Sequence, residues 1–179
     1  HTDSSAASDV YKRQVSNQVQ FSLVDRRPLV EMVKFCLKHN IKLLAYGTLC
    51  GGLLSDKYLD FTEIKNINLN TVSLKKYKNI IDMWGGWNLF QKLLNILKEI
   101  ADKHKVSVSN VAVRYILEQP TVAGAIVGTR LSISENIQDN SRIFDFNLDI
   151  EDYRKIDDLT GESRDLFKLI GDCGDEYRR

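Results

Sequence analysis

Alternating strand and helix patterns make this chain an α/β protein with a parallel sheet. Two short apolar runs, "KLLAY" (Lys42–Tyr46) and "VAGAIVG" (Val122–Gly128), lead into or end at glycine and read as strands buried on both faces. A third segment, "NQVQFSL" (Asn17–Leu23), alternates polar and apolar residues rich in β-formers. Helical stripes separate these runs, and the order strand, helix, strand fits a right-handed crossover. Three parallel strands leave two unpaired edges, so the count points to part of a larger α/β protein.

The elements follow in order. After the first strand, "RRP" breaks the extended run, and Pro28 suits a first helical turn. Leu29, Val30, Met32, Val33, Cys36 and Leu37 then fall on one stripe, which Asn40 ends by tolerating a left-handed cap. Gly47 to about Leu74 is a long polar stretch, and loops of that length inside a compact domain are usually functional. Helices are expected over Leu74–Met83 and Leu89–His104, separated by Gly85–Gly86. Ser107 caps a third, with Val108, Val111, Ala112, Tyr115 and Ile116 on one face and Pro120 beyond its end. A polar helix is expected over Ser132–Arg142, then one over Ile150–Leu159 capped by Asp149, then a short one near Leu166–Ile170.

Composition excludes several classes. The 179 residues carry 25 Lys and Arg against 24 Asp and Glu, a formal charge of +1 that offers nothing to neutralise a nucleic-acid backbone. With 43% hydrophobic and 27% charged residues the chain is neither collagen-like nor wholly disordered. No apolar run approaches the roughly 20 residues of a membrane span, so no membrane is expected as a partner. Cys36, Cys50 and Cys173 lack metal-ligand spacing and read as reduced thiols of a cytoplasmic protein. His39 and His104 each end a helix and read as surface or capping residues. Residues 1–14 show no periodic apolar pattern and no signal-peptide core. Within them "DVYKRQ" (Asp9–Gln14) matches the translated transposon end used in tagmentation sequencing. That leader is expected to be non-native or disordered, and removing it leaves the net charge unchanged.

Two loops carry the functional signal, "AYGTLCGGLLSDKYL" (Ala45–Leu59) and "VGTRLSISENIQDN" (Val127–Asn140), both at strand C-termini where α/β proteins place ligands. Together with "NQVQFSL" they occur in the order found in the aldo-keto reductases, whose C-terminal half residues 15–179 resemble. The resemblance implies the C-terminal part of a (β/α)8 TIM barrel, about strands six to eight with their helices, and hence an incomplete barrel. It implies NADPH/NADP+ as cofactor and a small carbonyl or alcohol as substrate, with hydride transfer reducing aldehydes and ketones. Carried over by position, Gln18 contacts the nicotinamide carboxamide and Tyr46 stacks on the nicotinamide ring. Gly47, Thr48, Leu49 and Gly51 match the loop over the pyrophosphate, with Gly47 standing where the family often has serine. Gly128, Thr129 and Arg130 match the segment holding the 2′-phosphate, for which a guanidinium is well suited. Asn136, Asp139 and Asn140 match the adenosine end, although Leu131–Asn136 is about two residues longer than the common family spacing. The family's Asp, Tyr, Lys and His tetrad belongs to its N-terminal half, so no catalytic residue is assigned here and this segment alone is expected to be inactive. Channel β subunits share the fold, and an NADPH-binding regulatory subunit is the alternative reading.

Overall fold

The computed structural model describes residues 14–61, 69–129 and 135–175. Three strands, β1 (Ser16–Gln20), β2 (Lys42–Tyr46) and β3 (Val122–Ile126), form one parallel sheet in the order β1-β2-β3. Gln18 pairs with Leu44 and Gln20 with Tyr46, while on the other side Leu44 pairs with Gly124 and Tyr46 with Ile126. The first strand is shorter than its alternation suggests. Phe21 still donates to the Tyr46 carbonyl at 3.0 Å, but β2 ends there, and the chain turns through Ser22–Asp25 instead.

The strands are not buried on both faces, contrary to the expectation from "KLLAY" and "VAGAIVG". Val19, Leu43 and Ala45 on one face are buried, whereas Leu44 and Tyr46 on the other are half-buried and Ile126 is 47% exposed. The helices of these crossovers cover a single side of the sheet. An apolar run therefore marks a strand without stating how many layers cover it.

Helix α1 (Met32–His39) follows a 3-10 turn at Arg27–Leu29, and Asn40 closes it with φ 54°. Val33 and Cys36 face the core, but Val30 and Leu37 do not. Leu29 and Met32 pack at the edge of the core, so the stripe is narrower than the sequence implies. After β2 come α2 (Val72–Trp84), α3 (Trp87–His104) and α4 (Val108–Leu117). Phe90, Leu93, Leu94, Leu97, Ile100 and Ala101 bury one face of α3 against α4 and a later helix, α6 (Ile150–Gly161). Between β3 and α6 lies a short helix, α5 (Ile137–Ser141), with a 3-10 turn at Arg142–Phe144. Of the polar helix expected over Ser132–Arg142, Ser132–Ser134 lie outside the described residues. The last helix is α7 (Leu166–Ile170).

Side-chain caps end several helices. Ser107 Oγ accepts from the Asn110 amide at 3.2 Å. Asp149 accepts from the amides of Glu151 and Asp152, and Asp152 returns the bond to the Asp149 amide at 3.1 Å, a capping box. Asp152 also joins α6 to the end of α3 through Lys103 Nζ at 2.8 Å and His104 Nε2 at 2.7 Å. His104 is thus an anchored, half-buried residue, while His39 is exposed and stacks on Phe35 at 4.3 Å. Burial opposes charge on Asp152, yet the hydrogen bonds from Lys103 and His104 outweigh it and hold the carboxyl below the usual range.

Leu97→Ala should lower stability by about 2–5 kcal/mol, while Val72→Ala on the exposed start of α2 should change it by about 0.5 kcal/mol or less. Urea denaturation measures both. The depressed Asp152 carboxyl contributes stability above its unfolded pKa of about 3.9 and loses it as pH falls through the lower folded value. Asp152→Asn should therefore lower stability at neutral pH and flatten its decline in acid, read as denaturation midpoint against pH.

Candidate functional site

The parallel register sets the site. Gln18 and Gln20 of β1, Tyr46 of β2 and Ile126 of β3 project from the face that the helices leave uncovered. A cavity of about 260 Å³ runs along the unpaired edge of β1 from Asn17 to Gln20, and Arg27, Met32, Tyr46, Cys173 and Gly174 complete its lining. Two sequence-predicted residues, Gln18 and Tyr46, therefore share one wall.

The loop after Tyr46 is pinned rather than free. Gly47 has φ +68°, and a Cβ there would collide with the hydroxyl of Tyr77 and lie 3.0 Å from its Cζ. Tyr77 itself is buried on α2. Serine at position 47 would meet the same obstacle. Gly51, at φ +69°, also backs onto α2, where a Cβ would lie 2.9 Å from Ser73 Oγ. Turn bonds from Cys50 N to Gly47 O and from Gly52 N to Leu49 O, each 2.9 Å, hold the backbone between. Thr48 is 1% exposed, and its Oγ1 has no hydrogen-bond partner among the described residues. Leu49 is half-buried against the core. Burial pushes the Cys50 thiol up to about 12, so this loop carries no ready thiolate.

The third strand delivers Gly128 and Thr129 exposed at its C-terminal side. Arg130 lies outside the described residues. Asn136 is exposed at the start of α5 and makes no side-chain cap bond. Asp139 is half-buried, with its carboxylate accepting from Ser107 Oγ at 2.8 Å and from Asn110 Nδ2 at 3.2 Å. Asn140, also half-buried, donates its amide to Asn136 O at 2.7 Å. Asp139 is thus tied to the start of α4.

Beside the cavity sits a cluster that sequence reasoning passed over as a strand breaker. Asp25 and Arg27 form an ion pair with side chains 1% and 2% exposed, through Nε–Oδ1 at 2.8 Å and a second bond to Oδ2 at 2.9 Å. Gln20 Nε2 donates to the same Oδ2 at 2.7 Å. Arg27 also donates to the carbonyls of Gly171 and Asp172, at 3.3 and 3.1 Å, and so ties the C-terminal segment to the end of β1. The available signal was charge placed directly after the apolar run Phe21–Val24. Arg26 turns the other way, to Asp157 at 2.9 Å and over the Tyr115 ring. Burial pushes the phenols of Tyr115 and Tyr153 up, which disfavours proton release from either. No group of three or more His, Cys, Asp or Glu suited to a metal occurs among the described residues, and no described helix is long and apolar enough to cross a membrane.

The aldo/keto reductase family model matches residues 4–160. The chain belongs to the aldo/keto reductase family. It is 32% identical over 143 residues to prostaglandin F synthase 1 of Bos taurus, covering 79% of this chain and 35% of that protein. Among solved structures, the glycerol dehydrogenase AKR11B4 of Gluconobacter oxydans matches with TM-score 0.66 and 21% identity, over 92% of this chain and 46% of that one. An aldo/keto reductase of Klebsiella pneumoniae, solved with NADP and acetate, matches with TM-score 0.52 and 15% identity, over 82% and 39%. The chain thus spans less than half the length of each of these relatives.

Gly47→Ala should destabilise this aldo/keto reductase chain by about 1–3 kcal/mol, from the left-handed backbone and the encounter with Tyr77. Adding Tyr77→Phe should recover part of that loss, because the colliding hydroxyl is removed. Denaturation of the two single variants and the double variant tests this, and purely additive losses would contradict it.

Proposed function

We propose that residues 15–179 are the cofactor-holding C-terminal half of an NADPH-dependent reductase that interconverts aldehydes or ketones with alcohols. The observation that carries this reading is that Gln18 and Tyr46, on adjacent strands, line one cavity. The unpartnered buried Thr48 Oγ1 supports it, since an orphaned hydroxyl beside a tightly turned glycine loop suits a ligand that completes its hydrogen bonding. The Klebsiella neighbour solved with NADP supports the choice of cofactor.

In this reading NADPH supplies the hydride. Gln18 orients the carboxamide, and the flat face of Tyr46 covers one side of the ring so that the other side faces substrate. Gly47, Thr48, Leu49 and Gly51 line the pyrophosphate path, with close approach possible where side chains are small. Gly128, Thr129 and Arg130 receive the 2′-phosphate, and Asn136, Asp139 and Asn140 border the adenosine. The three strands form part of a (β/α)8 barrel, and the proton donor comes from the remainder. The charge balance and three cysteines without ligand spacing support a cytoplasmic enzyme.

The 179-residue chain alone should not consume NADPH with a simple aldehyde, whereas the full-length protein should. Steady turnover by the isolated chain would refute the division of labour. In the full-length protein Arg130→Ala should weaken NADPH by about 1–3 kcal/mol more than NADH. Fluorescence titration with both cofactors measures this, and equal weakening would remove Arg130 from the phosphate site.

A further inference from the structure

We propose that the first turn of α4 is a spacer that fixes the distance between the two ligand segments: Asp56 and Ser109 tie it to the loop after β2, and Ser107 and Asn110 tie it to α5. This rests on the cofactor reading above and adds positioning residues, which touch no ligand and act through others. On one side the Val108 amide donates to Asp56 Oδ2 at 3.0 Å, and Ser109 Oγ donates to Leu54 O at 3.0 Å. Leu54 in turn donates its amide to Leu49 O at 3.1 Å, so the link reaches the glycine loop itself. On the other side Ser107 Oγ and Asn110 Nδ2 donate to the two carboxylate oxygens of Asp139, at 2.8 and 3.2 Å.

All four contacts on α4 come from consecutive residues, Ser107 to Asn110, within one helical turn. That turn is anchored from behind, because Val108, Val111 and Ala112 are wholly buried and a close-packed core resists their displacement. Each bond has a stated direction. Ser107 Oγ accepts from the Asn110 amide as the cap of α4, which leaves its one proton for Asp139. Asn110 cannot flip without setting Oδ1 against a carboxylate oxygen. The Val108 amide has no acceptor within its own helix, and the Asp56 carboxylate is favoured at the positive end of the helix dipole. A dinucleotide that must reach both segments gains from this fixed spacing, since a loop and a helix already held in place lose little freedom on binding.

The test titrates the full-length protein with NADP+ and with adenosine 2′,5′-bisphosphate, which carries the adenosine end alone. Asp56→Ala with Ser109→Ala releases the loop after β2 and leaves Asp139 held. This double variant should weaken NADP+ by about three- to tenfold and the bisphosphate by less than about twofold, the difference being the cost of ordering a released loop on binding. Asp56→Ala alone changes an exposed residue and should show the same preference at smaller size. Asn110→Leu frees Asp139 and should weaken both ligands by a common factor. Equal weakening of both ligands by the double variant would overturn the proposal by assigning these bonds to general stability. Unchanged binding of NADP+ by the double variant would overturn it too, as would an Asn110→Leu variant that spares the bisphosphate. Failure of the wild type to bind either ligand would instead overturn the cofactor reading itself.

Discussion

Parallel pairing of β1 with β2 places Gln20 beside Tyr46 and Gln18 beside Leu44, and the rest of the site depends on that register. A slip of one residue would send the two glutamines into the helix-covered layer and bring Val19 to the open face. Burial enforces the register. Val19, Leu43 and Ala45 are almost fully enclosed by the helical layer, and exposing them would forfeit the hydrophobic stabilisation of the sheet. The packing of one face therefore decides the chemistry of the other.

A second constraint is the buried pair Asp25–Arg27. Ion pairs in a low-dielectric setting are retained at a desolvation cost and tolerate the loss of neither partner. Here one guanidinium satisfies a carboxylate and two backbone carbonyls of the C-terminal segment. The carboxylate in turn holds the amide of Gln20. The C-terminal segment, which brings Cys173 and Gly174 to the cavity, is thereby coupled to the end of β1. The loop after β2 is set by a different means: glycine at 47 and 51 allows the backbone to lie against Tyr77 and Ser73 of α2.

Much of the fold was readable along the chain. Lys42–Tyr46 coincides with β2, Ser107 and Asp149 cap helices as their residue types suggest, and Asn40 ends α1 in the left-handed conformation. These features are local: a period, a capping hydroxyl or carboxylate, a residue tolerant of positive φ. The stripe on α1 is narrower than its apolar residues suggest, because Val30 and Leu37 at its margins stay exposed. Of the candidate site residues, Gln18, Tyr46 and Gly47 stand out in the sequence because they fall in ordered motifs, and Gln18 and Tyr46 line one cavity.

Residue order and type were enough to assign the strands, most helix caps and the family membership, because periodicity, capping and motif order are properties of neighbours along the chain. Which sheet face stays open, why position 47 excludes a side chain, and that Gln20, Asp25 and Arg27 form one cluster at the cavity were decided only by tertiary packing. Each of those outcomes depends on an atom contributed by a different element: a helix behind the glycine loop, a strand beside Gln20, a C-terminal segment across Arg27. No one-dimensional pattern records such distances.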